Sequence, residues 1–207
     1  MSAIIDRDMP DDPHLVPGRA CGSCNACCVA LTIDDPELQK PQGHRCPNSD
    51  RDGGCTIYAT RPHTCRTFYC GWRQLKWIRE SLRPDQSGVL VLLDSEISKV
   101  NATERLAIGG VQFMLLNKAA LKAEGLAESV AAAVAAKIPV YLCIPGEPGF
   151  TVAGGRINED LEEAVRIRDK AAVLRILRER RTVFRSVKRE RVVLSGHAGW
   201  STEQARE

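Results

Sequence analysis

Eight of the nine cysteines of this 207-residue chain lie between positions 21 and 70, at spacings that suit metal binding. The first four form a C-x-x-C-x-x-C-C run, and four more follow at wider intervals. The eight are Cys21, Cys24, Cys27, Cys28, Cys46, Cys55, Cys65 and Cys70. Two residues between cysteines allow a tight turn that directs both sulfurs at one soft cation. The density and spacing of these thiols therefore predict a metal site.

Three kinds of centre are compatible with this spacing. Two tetrahedral zinc sites would use all eight cysteines. One iron–sulfur cluster would take four of them, because C-x-x-C-x-x-C also begins the ligand run of bacterial ferredoxins. A mixed arrangement would combine one cluster with a zinc ion or a thiol pair. Zinc and iron–sulfur centres both accept tetrahedral thiolates, so the spacing leaves the cofactor open.

Cys27 and Cys28 are adjacent, and two neighbouring side chains point in different directions. They would bind one zinc ion only under strain, so we expect them to serve different metals or different atoms of a cluster. Adjacent cysteines, an odd total and an N-terminus without a signal-peptide pattern argue against a framework of disulfides. We expect a cytosolic protein, since thiols stay reduced there.

Composition and charge limit the classes of binding partner that the sequence favours. The formal net charge is only +3, and the basic residues concentrate in the stretch 178–191 rather than among the cysteines. A nucleic-acid-binding module with structural zinc is therefore the weaker alternative. No run of about eighteen apolar residues exists, so we expect no membrane span. The metal ion is the expected partner, and a protein partner is a further candidate.

The pattern resembles the YkgJ-like cysteine-cluster family, the CxxCxxCC proteins described as zinc- or iron-chelating domains of bacterial type. The resemblance covers all eight cysteines and also Tyr58, Pro62, Arg66 and Phe68, and it continues over residues 82–89. It implies metal chelation through the cysteines and assigns no reaction. Residues 90–207 resemble no family of defined activity.

An enzyme is the main alternative to a binding protein. Flagellin lysine methylases resemble the family in their cysteine pattern, so a metal-dependent enzyme that modifies a protein side chain is conceivable. No G-x-G-x-x-G motif follows a predicted strand, and we assign no catalytic residue. Arg66 directly follows Cys65, and we predict that it hydrogen-bonds a thiolate or offsets the negative charge of the centre.

The chain as a whole predicts an α+β fold in which a small, loop-rich cysteine module depends on a metal. We expect a flexible segment at 1–19, the cysteine module at 20–77, a mixed α/β region at 78–195 with a basic C-terminal helix, and a flexible segment at 196–207. Strands are predicted at 88–94 and 140–144, and helices at 119–137 and from Asn158 to about Arg181. Cys143 lies in the second strand and is expected to be a buried core residue.

Overall fold

The computed structural model describes residues 14–50, 52–93 and 110–195. The predicted flexible segments at 1–19 and 196–207 lie outside the described residues, except for 14–19. Within the described residues the fold is mixed α+β, as the sequence predicts, with seven α-helices and two sheets. The helices are α1 (Ala26–Ala30), α2 (His63–Thr67), α3 (Gly71–Gln74), α4 (Pro84–Ser87), α5 (Leu126–Ala135), α6 (Asn158–Arg166) and α7 (Lys170–Ser186).

Two strands form a small hairpin in the cysteine region, and four form the main sheet. The strands are β1 (Ile33–Asp35), β2 (Leu38–Lys40), β3 (Val89–Leu93), β4 (Val111–Leu115), β5 (Val140–Ile144) and β6 (Ala153–Arg156). The main sheet has the order β3-β4-β5-β6. Its central pair β4–β5 is parallel, and both outer pairs are antiparallel. The predicted strands at 88–94 and 140–144 are confirmed as β3 and β5.

Both faces of the main sheet are covered, which explains the uninterrupted apolar run of β3. On one face, side chains such as Val89, Val91 and Leu142 pack with helices α5, α6 and α7 into the principal core. On the opposite face, Leu90 and Cys143 pack against Ala30 of α1. Helix α1, which carries Cys27 and Cys28, therefore packs against this face of the main sheet. Cys143 is buried there, as expected.

The predicted helix at 119–137 is shorter than expected. Its first residues form a 3-10 turn over Ala119–Lys122, and the α-helix begins only at Leu126. Gly125 precedes it with a φ of 83°, a left-handed conformation that glycine adopts without strain. A Cβ at Gly125 would lie 2.6 Å from Arg79 Cγ, so the close approach also requires glycine.

The single helix predicted from Asn158 to about Arg181 is wrong, because the structure has two. Helix α6 ends at Arg166, and α7 begins at Lys170 and continues to Ser186. Between them Arg168 has a φ of 57°, which interrupts the helical backbone. The Asp169 side chain then accepts a hydrogen bond from Ala172 N and caps the start of α7.

The segment after the last cysteine of the motif is tied into the principal core. Trp72 and Ile78, on either side of the predicted domain boundary at residue 77, belong to the same hydrophobic cluster. Arg19 is buried and donates hydrogen bonds to the carbonyls of Trp72, Leu75 and Ile78. It also pairs with Glu80 at 2.7 Å. Arg19 therefore connects the N-terminal segment to four residues of the turn 72–80.

Candidate metal centre

One cavity brings all eight motif cysteines together. Its volume is about 160 Å³, and its wall is otherwise mainly apolar, with contributions from Leu31, Ile33, Leu38 and Leu90. The cysteines that line it are Cys21, Cys24, Cys27, Cys28, Cys46, Cys55, Cys65 and Cys70. Cys143 is not among the lining residues. The structure thus separates the nine cysteines into the same eight and one that the sequence spacing indicates.

Short local structures place the first four cysteines. Cys24 N donates to Cys21 O at 2.8 Å, which closes the first C-x-x-C turn. Cys27 and Cys28 both lie on the five-residue helix α1. The loop that carries Cys55 passes directly over this turn, since a Cβ at Gly53 would lie 2.3 Å from Ser23 O. That contact explains why the loop needs glycine, whose φ here is 99°.

The other four cysteines come from separate pieces of backbone. Cys46 N donates to Cys28 O at 3.0 Å, so the chain after the β1–β2 hairpin returns to α1. Cys55 is paired with Ser49 in an isolated antiparallel bridge. Cys65 lies on α2, and Cys70 immediately precedes α3. Together with residues 21–28, the segments around residues 46, 55 and 65–70 make four separate stretches of chain that converge on the cavity.

None of the nine cysteines, all of which lie within the described residues, forms a disulfide, and their side chains do not cluster around one point. Among the described residues, no three His, Cys, Asp or Glu side chains stand close enough to hold a metal ion together. The donor chemistry fits zinc or iron, because soft thiols line one mainly apolar cavity. Metal binding at this place requires the thiols to move closer to one another.

Burial keeps most of these thiols protonated in the metal-free protein. It raises the pKa of Cys24 and of Cys65 to about 11. Burial also raises the pKa of Cys46, Cys55 and Cys70 above the ordinary thiol value. A metal ion that binds here must displace protons from these sulfurs.

Cys28 differs from its neighbours. The Cys27 thiol hydrogen-bonds to it, and this contact together with the charges of Lys40 and Arg61 lowers the pKa of Cys28 to about 7, against the opposing effect of burial. The same hydrogen bond and burial raise the pKa of Cys27 well above its usual value. Cys28 is therefore the thiol of this pair that ionises first.

Lys40 is a buried cation beside the cysteines. Its side chain has no exposed surface, and its Nζ donates to the carbonyls of Val29, Leu31 and Pro41. Among the described residues no carboxylate forms an ion pair with it. Burial lowers the pKa of Lys40 to about 8, while nearby cysteines, Cys46 first, oppose that change. A buried ammonium needs compensating negative charge, and thiolates of the cavity can provide it.

Two arginines also face the cavity cysteines. Arg73 is buried and donates from Nη1 to Cys21 Sγ at 3.5 Å. Arg61 lines the cavity, donates to Tyr58 O at 2.8 Å and stacks over the Tyr58 ring with its Cζ 3.5 Å from the ring centroid. The spacing of the cysteines does not indicate Lys40, Arg61 or Arg73 as their neighbours. For Arg73 a signal existed, because it follows Cys70 by three residues.

Arg66, which the sequence analysis placed beside a thiolate, lies on α2 with its side chain exposed and is not among the residues that line the cavity. Its role at the centre stays a prediction. His44 and His63 are also absent from the cavity wall. The donor atoms available inside the cavity are therefore dominated by sulfur.

Comparisons with known proteins found no relative of this chain. No family model matches it, and neither the curated proteins nor the solved structures contain a match. Within the described residues, no helix is both long and apolar enough to cross a membrane.

Proposed function

We propose that this protein binds zinc or an iron–sulfur centre through its eight-cysteine cavity. One observation supports the proposal above all. Eight cysteines from four stretches of chain line one cavity, and the ninth, Cys143, does not line it. Free thiols in an apolar cavity with buried cations nearby are typical of a place where thiolates bind a metal.

The metal would also stabilise the cysteine region. This part of the chain has short helices of four or five residues and a hairpin of three-residue strands. Such elements bury little apolar surface, so bonds to a metal would supply much of their stability. The resemblance to the YkgJ-like family is consistent with a chelating role, and we place the protein in the cytosol, where its thiols stay reduced.

Anaerobic purification followed by metal analysis and a visible absorption spectrum tests the proposal. A brown protein that contains iron and sulfide identifies an iron–sulfur centre, and a colourless protein that contains zinc identifies zinc sites. The variant Cys65→Ser should lose metal, whereas Cys143→Ser should retain the full content. Metal-free protein with no affinity for zinc or iron in reducing buffer would refute the proposal.

A second experiment separates the stabilising role from mere binding. After treatment with a chelator, hydrogen exchange should increase over residues 20–70, while the β3–β6 sheet keeps its protection. The sheet has a hydrophobic core of its own, with Phe113 and Leu142 fully buried. Unchanged exchange over residues 20–70 after metal removal would show that the metal is bound but does not hold the region together.

A further inference from the structure

The eight cavity cysteines fall into two groups of four when their contacts are compared. The first group lies around the C-x-x-C turn at residues 21–24 and the start of α3. Its members are Cys21, Cys24, Cys27 and Cys70. The second group surrounds the end of α1, the loop after the hairpin and α2, and its members are Cys28, Cys46, Cys55 and Cys65. We call them the first set and the second set.

Backbone and side-chain contacts connect the first set. The C-x-x-C turn joins Cys21 and Cys24 through the hydrogen bond from Cys24 N to Cys21 O. Arg73 connects this turn to Cys70, because its guanidinium donates to Cys21 Sγ and its backbone N donates to Cys70 O at 2.9 Å. The charges of Cys21 and Cys24 also act on Cys27, and that of Cys21 acts on Cys70, while Cys28 has the strongest influence on Cys27.

Packing connects the second set. Cys28 and Cys65 pack against buried Cys46 in one hydrophobic cluster with Ile33 and Leu38 of the hairpin. Cys46 N donates to Cys28 O, and Cys55 is tied to this loop by its bridge with Ser49. The charges of Cys28, Cys46 and Cys55 all act on Cys65.

Helix geometry explains how adjacent cysteines join different sets. Successive residues of an α-helix are separated by about 100° around its axis, so Cys27 and Cys28 leave α1 toward different sides. The charges of Cys21 and Cys24 act on Cys27, whereas Cys28 O accepts a hydrogen bond from Cys46 N. The Cys27 and Cys28 thiols hydrogen-bond to each other, so the two sets are in contact at this point.

The cations with the strongest interactions differ between the two sets, although Lys40 also interacts with Cys27. Arg73 contacts the first set through Cys21, whereas Lys40 and Arg61 act on Cys28 of the second. Four thiolates bound to one divalent ion carry a net charge of about −2, and buried charge of that size needs compensation. A separate supply of positive charge for each group of four is what two independent centres require.

We propose that the cavity contains two separate four-thiolate sites, one formed by Cys21, Cys24, Cys27 and Cys70 and the other by Cys28, Cys46, Cys55 and Cys65. This inference rests on the proposed metal-binding function and assigns its ligands. Each site is complete with four sulfurs. When a metal ion enters a site, each thiol releases its proton to solvent and its sulfur bonds to the metal.

Paired variants test the assignment on the full chain. Cys24→Ser should remove the metal of the first site, about half of the wild-type content, and Cys46→Ser should remove the metal of the second. The double variant C24S/C70S, within one set, should bind as much metal as Cys24→Ser alone. The double variant C24S/C46S, across the sets, should bind almost none. Cys143→Ser is the matched control and should bind as much as the wild type.

The outcomes distinguish this inference from the proposed function. A wild-type protein without metal would refute both. If the wild type binds metal but each single variant loses all of it, the eight cysteines form one shared centre and the division into sets is wrong. If variants of only one set lose metal, only one site exists and the inference is equally wrong.

A measurement on the wild-type chain covers the case in which variants fail to fold. The protein loaded with cadmium-113 should give two cadmium resonances in the range of four-sulfur coordination, without cadmium–cadmium coupling. Coupling between the two resonances would demonstrate a thiolate that bridges both ions, which contradicts two separate sites. A single resonance would contradict them as well.

Discussion

Arg73 Nη1 lies 3.5 Å from Cys21 Sγ, although 52 residues separate the two in the chain. The contact joins the first cysteine of the motif to helix α3, three residues after the last one. Arg73 is 3% exposed, and its guanidinium also lies over the Tyr69 ring, with Cζ 5.4 Å from the centroid. The buried guanidinium of Arg73 therefore interacts with both Cys21 and Cys70, the first and the last cysteine of the motif.

Replacing Arg73 should weaken metal binding at the first site. A hydrogen bond to a charged group contributes about 1.5–3 kcal/mol, so Arg73→Met should raise the dissociation constant of the first site about tenfold to a hundredfold. Competition with a chromophoric chelator measures the change. Arg66→Met, on the exposed side of α2, is the matched variant. If Arg66→Met has the larger effect, the sequence-based assignment of Arg66 is correct and the role given to Arg73 is not.

Lys40→Gln should weaken the second site while keeping donors for the surrounding carbonyls. The amide of Gln can still hydrogen-bond backbone oxygens, but it brings no positive charge to the thiolates of Cys28 and Cys46. We expect a faster loss of metal to a chelator from the second site and an unchanged rate from the first. If the variant loses metal from the second site at the same rate as the wild type, Lys40 only hydrogen-bonds the backbone carbonyls and does not stabilise the thiolates.

Metal binding should release protons and weaken as the pH falls. At pH 7 the thiols with a raised pKa, such as Cys24 and Cys65, are protonated and each must release one proton. Cys28, with its pKa lowered to about 7, is already partly ionised and releases less than one. Zinc affinity should therefore rise with pH up to the pKa values of the buried thiols.

Calorimetric titration with zinc in two buffers of different ionisation enthalpy counts these protons. We expect close to one proton for each liganding thiol, slightly reduced by the contribution of Cys28. Cys143→Ser should give the same number as the wild type, because that thiol lies outside the cavity. A proton release near zero would mean that the thiols are ionised before metal binds, contrary to their burial.

Arg19→Met should destabilise the fold independently of any metal. The substitution leaves the carbonyls of Trp72 and Ile78 buried without their donor, which costs about 2–4 kcal/mol in free energy of unfolding. Glu80→Gln removes only the exposed partner of the same arginine and should cost less than about 1 kcal/mol. Denaturant unfolding of both variants measures the difference, and equal losses would contradict the role given to the carbonyl contacts.

Local sequence patterns predicted some of the strands and helices correctly and missed others. The apolar runs of β3 and β5 predict buried strands because both faces of the sheet are covered. Strand β6 was not predicted, because its sequence Ala-Gly-Gly-Arg has little strand propensity. It forms a strand through its pairing with β5. The break between α6 and α7 was also missed, because it depends on the positive φ of Arg168 rather than on glycine or proline.

At the candidate centre, spacing identified the eight cysteines but not their partners. The types and intervals of these residues restrict the chemistry to thiolate binding of a soft metal, and this much follows from the chain alone. Lys40 lies in a strand, a position that by itself indicates no contact with sulfur, and the only sign for Arg73 is its place three residues after Cys70.

The sequence by itself determined which atoms are available to bind a metal, since ligand chemistry is a property of residue type and local spacing. The tertiary structure decided which cysteines meet, which one stays apart in the core, and which cations face them. The reason is physical: Cys70 and Cys21 become neighbours only when α3 packs on β3 and Arg73 reaches back to the N-terminal turn. Such encounters depend on the packing of the whole chain, and no local pattern encodes them.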